Sequence, residues 1–153
     1  MLSFLVKFFL TGFYSGKIKF MPGTCGTLVA VLLYYFFFNN ALITNIIIII
    51  FLFFLSLMIL NYSYSKSIFK EIDDKSIVID EIIGYLSFMI FFNPTINNII
   101  IGFILFRIFD ITKPFPINLI DRKLKNSLGV IFDDIIAGFF SGLILYLVNN
   151  AFK

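Results

Sequence analysis

The sequence contains no histidine, and Cys25 is its single cysteine among 153 residues. Without histidine the chain cannot form a Ser-His-Asp triad, a Cys-His dyad, a phosphohistidine or a histidine metal site. One cysteine excludes an intrachain disulfide and a cysteine metal cluster. Any catalysis must therefore depend on carboxylates, lysine, arginine, hydroxyl groups and, where a metal takes part, a hard ion bound by oxygen.

Charge is also scarce. Charged residues make up 14% of the chain, hydrophobic residues make up 60%, and the mean hydropathy is +1.02. Soluble proteins carry roughly 45–50% apolar and about 25% charged residues. Because a soluble fold of this size could not bury so much apolar surface, the composition predicts a polytopic membrane protein with a single domain over residues 1–153. The net charge of +3 is interpreted as membrane orientation, not as nucleic-acid binding.

Apolar stretches separated by short polar segments predict an all-α membrane bundle. These stretches cover residues 27–38, 46–62, 77–92, 99–115 and 130–148, and the stretch at 46–62 contains no charge. A membrane span needs about 20 residues, or about 17 at the low end. We therefore expect four or five membrane helices, with residues 1–13 forming a short interfacial or re-entrant segment.

Among the loops between the apolar stretches, lysine and arginine occur only in alternate loops. The loops at residues 12–26, 63–76 and 113–129 contain nine of them, whereas the loops at 39–45 and 93–98 contain none. The positive-inside rule places loops rich in lysine and arginine in the cytoplasm. The chain is therefore predicted to be a multi-pass protein whose basic loops face the cytoplasm.

Five carboxylates fall near the cytoplasmic ends of three predicted helices: Asp80, Glu81, Asp110, Asp133 and Asp134. One charge inside a membrane costs about 2.5–3.5 kcal/mol on insertion scales, so five at one depth need a common explanation. They either lie near water at helix ends by chance or form a carboxylate cage for a divalent cation. The stripe of Asp134, Gly138 and Gly142, spaced by four residues, favours an inward orientation because small residues let membrane helices approach closely.

Three patterns on the same side could bind phosphate. Arg107 and Asp110 share one helix face and form either a structural ion pair or a phosphate-binding arginine beside a metal-binding aspartate. Residues 22–27, PGTCGT, precede a predicted helix, where backbone amides favour an anion and Thr24 or Thr27 could cap the helix. The alternative interpretation is that this turn only caps the helix and binds no anion. Lys113, followed by Pro-Phe-Pro, adds a cation.

Four blocks in order resemble the phosphatidylglycerophosphatase A family. They are PGTCGT at 22–27, IDEIIG at 79–84, FRIFDITKPFP at 106–116 and DDIIAG at 133–138. Asp121, Arg122 and Gly129 also fall at matching spacings, and the resemblance covers residues 12–142. One departure is Lys17-Ile18-Lys19, where family members often carry Ser-Pro.

The resemblance implies an all-helical, Mg²⁺-dependent lipid phosphatase of the bacterial cytoplasmic (inner) membrane. It would remove the terminal phosphate of phosphatidylglycerophosphate to give phosphatidylglycerol during phospholipid biosynthesis. Its partners would be this phospholipid and the bilayer, and no nucleic acid. The expected catalytic and metal-binding residues are Asp80, Glu81, Asp110, Asp133 and Asp134. The expected phosphate-binding residues are Arg107, Lys113, Thr24, Gly26 and Thr27.

Two other functions fit parts of the pattern. An ion-coupled transporter or channel component also uses intramembrane carboxylates, but it typically places them near mid-membrane between repeats, and no repeat is visible in this sequence. A soluble helical relative acting on non-lipid substrates is the second alternative. The uncharged stretch at 46–62 argues against it.

Overall fold

The computed structural model describes residues 2–38, 41–69 and 74–151, and the predicted loops at 39–45 and 63–76 lie partly outside these ranges. Within them the chain is all-α, as predicted, with seven α-helices and one 3₁₀ turn at Ser15–Lys17. The helices are α1 (Leu2–Leu10), α2 (Pro22–Phe37), α3 (Leu42–Ser65), α4 (Ile79–Met89), α5 (Ile96–Thr112), α6 (Ile117–Lys123) and α7 (Ser127–Ala151).

The central helix is α4. It packs against α7, α2, α3 and α5, and nine of its 11 residues are buried. At 1.5 Å per residue its length is about 16 Å, roughly half the thickness of the hydrocarbon core. The stretch at 77–92 thus forms a short buried helix, because α4 ends at Met89, before the polar Asn93-Pro94 turn.

Two helices, α3 and α7, are long and apolar enough to cross a membrane. Only 11% of the most apolar window of α3 is buried, and its exposed side chains include Ile43, Phe51 and Met58. A helix that presents apolar side chains on its outer surface suits lipid better than water. Of the four or five membrane helices expected, length and composition support two, and the others stay a prediction.

The N-terminal segment at 1–13 forms a short helix with one exposed apolar face. In α1, Leu2, Phe4 and Leu5 are exposed, whereas Val6 and Leu10 are buried in the core. The Val78 backbone N–H donates to the Leu10 carbonyl oxygen at 3.0 Å, which ties the end of α1 to the start of α4. Its interfacial or re-entrant placement stays a prediction.

Glycines set the close contact between α4 and α7. A Cβ on Gly84 would lie 2.7 Å from the Asp134 carbonyl oxygen, and a Cβ on Gly138 would meet the Gly84 carbonyl oxygen. Gly142 faces Phe88 one turn further on. The predicted inward orientation of the stripe formed by Asp134, Gly138 and Gly142 is therefore confirmed, and this contact brings α7 beside the acidic start of α4.

The structure corrects the sequence analysis at the start of α2. Residues 22–27 do not precede this helix but form its first turn and a half, since the helix begins at Pro22. Proline suits the first helical position because its ring fixes φ at a helical value and because it has no backbone N–H that would lack a partner there. The cap position is Met21, which makes no side-chain cap. The expectation that Thr24 or Thr27 caps the helix is therefore wrong.

A second correction concerns residues 113–129, which were treated as a loop. They contain the short helix α6, which packs against α7 and buries Ile117. This helix places Asp121 and Arg122 beside the acidic ends of α5 and α7.

Candidate active site

One end of the bundle contains a cavity of about 1110 Å³. Six of the nine acidic residues of the chain line it, together with five of the twelve basic residues. The acids are Asp80, Glu81, Asp110, Asp121, Asp133 and Asp134; the bases are Lys75, Arg107, Lys113, Arg122 and Lys125. All five predicted carboxylates, from α4, α5 and α7, therefore meet in one place.

Three of these carboxylates form a compact cluster. Each residue contributes one carboxylate oxygen, and these three oxygens, from Asp80, Glu81 and Asp134, all lie within 4.8 Å of one another. Asp80 is 8% exposed and Asp134 is 4% exposed. The Glu81 backbone N–H donates to Asp80 Oδ1 at 3.1 Å, so consecutive residues in the first turn of α4 aim two carboxylates at Asp134 on α7.

This cluster has the donor set of a hard divalent cation. Three carboxylates at such separations, two of them on buried residues and one on a half-buried residue, repel one another unless a positive charge lies between them. Within the described ranges, the Glu81 Oε2 atom is buried and has no hydrogen-bond partner. Gly23 at the start of α2 leaves the necessary room, because a Cβ there would collide with Glu81 Oε1. Oxygen-only ligands that include carboxylates are what Mg²⁺ prefers, so these residues fit that ion.

Arg107 lies beside the cluster and is fixed by two neighbours. Its Nη1 forms an ion pair with Asp110 Oδ2, one turn along α5, and donates to Thr27 Oγ1 at 3.4 Å. Both side chains of the ion pair are mostly buried. Arg107 Nε has no hydrogen-bond partner within the described ranges. The predicted structural ion pair is therefore present, and the guanidinium still lines the cavity with donors to spare.

Lys113 joins three elements at the end of α5. It adopts a left-handed backbone conformation there, and its Nζ donates to Asp121 Oδ1 at 2.6 Å and to Asp133 Oδ2 at 2.5 Å. Burial lowers the pKa of Lys113, but its hydrogen bonds and charge interactions with both aspartates outweigh burial and raise the pKa well above its ordinary value. The ammonium group therefore stays charged. It binds only one carboxylate oxygen of Asp133, Oδ2, and the other oxygen, Oδ1, is buried with no hydrogen-bond partner in the described part of the chain.

The remaining predicted residues lie behind the cavity wall. Gly26 faces Val78, since a Cβ on it would lie 2.5 Å from Val78 Cβ. Thr24 Oγ1 is buried without a partner, and Thr27 Oγ1 donates to the Gly23 carbonyl oxygen at 2.9 Å. Thr27 thus contacts two residues of the cavity lining, Gly23 and Arg107.

Sequence reasoning assigned no role to several residues that line the cavity, among them Gly23 and Asp121. Gly23 lies in the predicted PGTCGT block, but Thr24, Gly26 and Thr27 were singled out in its place. Asp121 falls at a spacing that matches the family blocks, and its ion pair with Lys113 gives that spacing a physical reason.

Two comparisons with known proteins, one with a family profile and one with individual relatives, find the same family over most of the chain. A profile described as phosphatidylglycerophosphatase A matches residues 8–149. The phosphatidylglycerophosphatase A of Escherichia coli K12 is 31% identical over 140 residues, covering 91% of this chain and 80% of the relative. That of Haemophilus influenzae is 32% identical over 140 residues, covering 90% and 85%.

A third relative differs in its name. A Bacteroides thetaiotaomicron protein, provisionally named a phosphatidylinositol-3-phosphatase, is 32% identical over 152 residues, covering 94% of this chain and 92% of the relative. No solved structure matches the chain.

Proposed function

The chain belongs to the phosphatidylglycerophosphatase A family, and on that premise we propose that it hydrolyses the terminal phosphate of phosphatidylglycerophosphate to phosphatidylglycerol. The observation that carries this proposal is that the carboxylate cluster lies in the same cavity as Arg107 and Lys113. Cations that bind phosphate oxygens, next to carboxylates that bind a metal, are the components of metal-assisted phosphomonoester hydrolysis. The position of the carboxylates at one end of the bundle disfavours the transporter alternative.

We assign the metal to Asp80, Glu81 and Asp134, and propose that it is Mg²⁺. When bound, this ion would neutralise phosphate charge and make a coordinated water more acidic. The protein supplies the three carboxylates from two helices held together at Gly84 and Gly138. Mg²⁺ usually keeps several waters and is completed by substrate phosphate, which suits a cluster that opens into a large cavity.

Arg107 and Lys113 would bind the phosphate oxygens that the metal leaves free. Arg107 presents a planar fork and Lys113 a compact charge. Both are oriented by carboxylates from the same cavity: Asp110 holds Arg107, and Asp121 with Asp133 holds Lys113. We interpret Asp110 and Asp121 as positioning residues, with Thr27 supporting Arg107 from behind.

Asp133 is the best-placed proton acceptor. Its Oδ2 is bound to Lys113, whereas its Oδ1 is buried and has no partner. A water held at Oδ1 would face the same cavity as the carboxylate cluster. Asp133 would accept the proton of that water as its oxygen attacks phosphorus, while the bond between phosphorus and the glycerol oxygen breaks. That glycerol oxygen would take up a proton from solvent water and leave as the hydroxyl of phosphatidylglycerol.

The test of the proposed function is phosphate release by the purified protein in detergent micelles. We expect turnover of phosphatidylglycerophosphate to exceed turnover of phosphatidylinositol 3-phosphate, which is the substrate type suggested by the name of the Bacteroides relative. Both lipids should be presented at equal mole fraction in the same micelle. No phosphate release from phosphatidylglycerophosphate would contradict the proposal, and a preference for the inositol lipid would reassign the substrate.

We also propose that the cavity faces the cytoplasm across a bacterial inner membrane. Support comes from the cavity lining, to which the basic loops at 63–76 and 113–129 contribute Lys75, Lys113, Arg122 and Lys125. Residues 93–98, which include no lysine or arginine, form the end of the connection between α4 and α5 and the first residues of α5. They lie at the ends of these helices away from Asp80 and Asp110.

Sidedness can be measured by thiol labelling of single cysteines in a Cys25→Ser background. Ser67 and Asn97 are both exposed and lie in a basic and an uncharged loop respectively. We expect Ser67→Cys to react with a membrane-impermeant maleimide only after permeabilisation, and Asn97→Cys to react in intact cells. The reverse pattern would overturn the orientation, and reaction of both in intact cells would overturn the membrane placement.

A further inference from the structure

The proposed substrate carries two phosphates, and the residues assigned above account for one. Phosphatidylglycerophosphate has a terminal phosphomonoester and, one glycerol unit away, a phosphodiester that joins the head group to the lipid. Hydrolysis does not change this phosphodiester, but its negative charge must enter or border the cavity with the reacting phosphate. The following inference rests on the proposed function, since it concerns the second anion of the same substrate.

The inner part of the cavity cannot offer that second anion a countercharge. Arg107 is paired with Asp110, and Lys113 is shared by Asp121 and Asp133. Against these two cations stand six carboxylates of the lining. A phosphodiester close to them would be repelled unless other cations were present.

Three further cations line the same cavity at its exposed mouth: Lys75, Arg122 and Lys125. None of them forms an ion pair or side-chain hydrogen bond with another residue of the described part of the chain. They therefore differ from Arg107 and Lys113, whose charges are already shared with carboxylates.

The segment that carries Arg122 and Lys125 is fixed at both ends. At one end Asp121 is bound to Lys113. At the other end Asn126 Oδ1 accepts from the Gly129 backbone N–H at 2.9 Å, which is an N-cap of α7. Gly129 also lets the intervening chain pack directly on α7, because a Cβ there would collide with the Leu124 carbonyl oxygen.

We propose that Arg122 and Lys125 bind the phosphodiester of the substrate. These two residues thereby select lipids in which a single polyol unit, such as glycerol, links the terminal phosphate to a second phosphate. Arg122 can form a bidentate contact with two non-bridging oxygens, and Lys125 adds a charge. Lys75 also lines this cavity and lies in the segment that leads into α4. The inner cations then hold the phosphate that is removed, and the mouth cations hold the phosphate that stays.

The experiment measures the steady-state kinetics of an Arg122→Gln/Lys125→Gln double variant. Phosphatidylglycerophosphate is the substrate, and phosphatidic acid, which has a phosphomonoester but no phosphodiester, is the competitor. We expect KM for phosphatidylglycerophosphate to rise roughly fivefold to tenfold, because two charge-assisted contacts at a partly exposed site are lost. We expect kcat to stay within about twofold, since binding is lost equally in the ground state and the transition state.

Lys123→Gln is the matched control. Lys123 is an exposed cation on the same turn of α6, but it does not line the cavity. We expect its KM to equal that of the wild type, and we expect the inhibition constant of phosphatidic acid to be the same in all three proteins.

Three results would overturn the inference while leaving the proposed function intact. The first is an unchanged KM in the double variant. The second is an equal weakening of the binding of phosphatidylglycerophosphate and of phosphatidic acid, and the third is an equal rise in KM in Lys123→Gln. The second and third results would indicate a general attraction of anionic lipid to a basic surface. Absence of any turnover by the wild type would instead contradict the proposed function, and the inference would fall with it.

Discussion

Asp134→Asn is expected to abolish phosphate release while the amount of folded protein in the membrane stays the same. Asparagine keeps the shape of the side chain but removes the charge that the cluster with Asp80 and Glu81 offers to a cation. Loss of a metal-bound charge of this kind costs several kcal/mol of transition-state stabilisation, so we expect a decrease in turnover of at least about 10³-fold. Folding should not suffer, since burying a neutral amide costs less than burying a charge.

The other carboxylates should divide into three groups. Asp80→Asn and Glu81→Gln remove members of the same cluster and should match Asp134→Asn. Asp133→Asn removes the proposed proton acceptor and should cost about 10²–10⁴-fold. Asp110→Asn should cost less, because Arg107 keeps its own charge and loses only an orienting partner.

Asp74→Asn is the control for this series. Asp74 lies outside the cavity lining, and its Oδ1 accepts from the Ser76 backbone N–H and hydroxyl, which an amide oxygen can also do. We expect nearly wild-type activity. Asp73, which lies outside the described residues, is expected to behave in the same way when changed to asparagine. An essential Asp74, or wild-type activity in two of the three cluster variants, would show that this cavity is not the active site.

The positions of the carboxylates that line the cavity were largely predictable from the sequence. The pattern that reveals them lies within short segments, and the free-energy cost of placing charges in apolar segments is high. Two apolar stretches each begin with a pair of acidic residues, Asp80 with Glu81 and Asp133 with Asp134. Charges in such segments are energetically unfavourable unless they bind a common partner. Their common depth followed from the alternation of basic loops. The stripe of Gly138 and Gly142 then indicated the face of α7 that meets α4, which the contact at Gly84 confirms.

Features that depend on contacts between distant segments were not predictable in the same way. Lys113 has Asp121 and Asp133 as partners because α6 folds back onto α7, and a seven-residue helix leaves little periodic signal. Gly23 faces the cavity, whereas Gly26 faces Val78, because α2 begins at Pro22 and so fixes which face each glycine takes. Apolar composition likewise does not reveal the length of α4, which is apolar because it is central and buried and which ends after 11 residues. The number of membrane spans beyond α3 and α7 stays a prediction.

Removal of divalent metal is expected to eliminate activity, and Mg²⁺ is expected to restore it. Asp80, Glu81 and Asp134 hold three carboxylate oxygens within 4.8 Å, and Glu81 Oε2 has no protein partner. Without a cation their mutual repulsion destabilises the site, and the phosphate loses its principal countercharge. We expect EDTA followed by desalting to lower turnover at least about 100-fold, with recovery on adding Mg²⁺ and none on adding K⁺ at equal ionic strength.

Thermal unfolding supplies a second readout of the same prediction, one that does not depend on turnover. A cation that binds only the folded state stabilises it by about 2.7 kcal/mol at 100 times its Kd, so Mg²⁺ should raise the Tm of the EDTA-treated protein measured by circular dichroism. In Asp134→Asn the rise should shrink, because one of three charged ligands is gone, whereas Asp74→Asn should keep the full rise. Full activity after EDTA treatment, or the same rise in Tm in Asp134→Asn as in the wild type, would show that this cluster holds no functional metal.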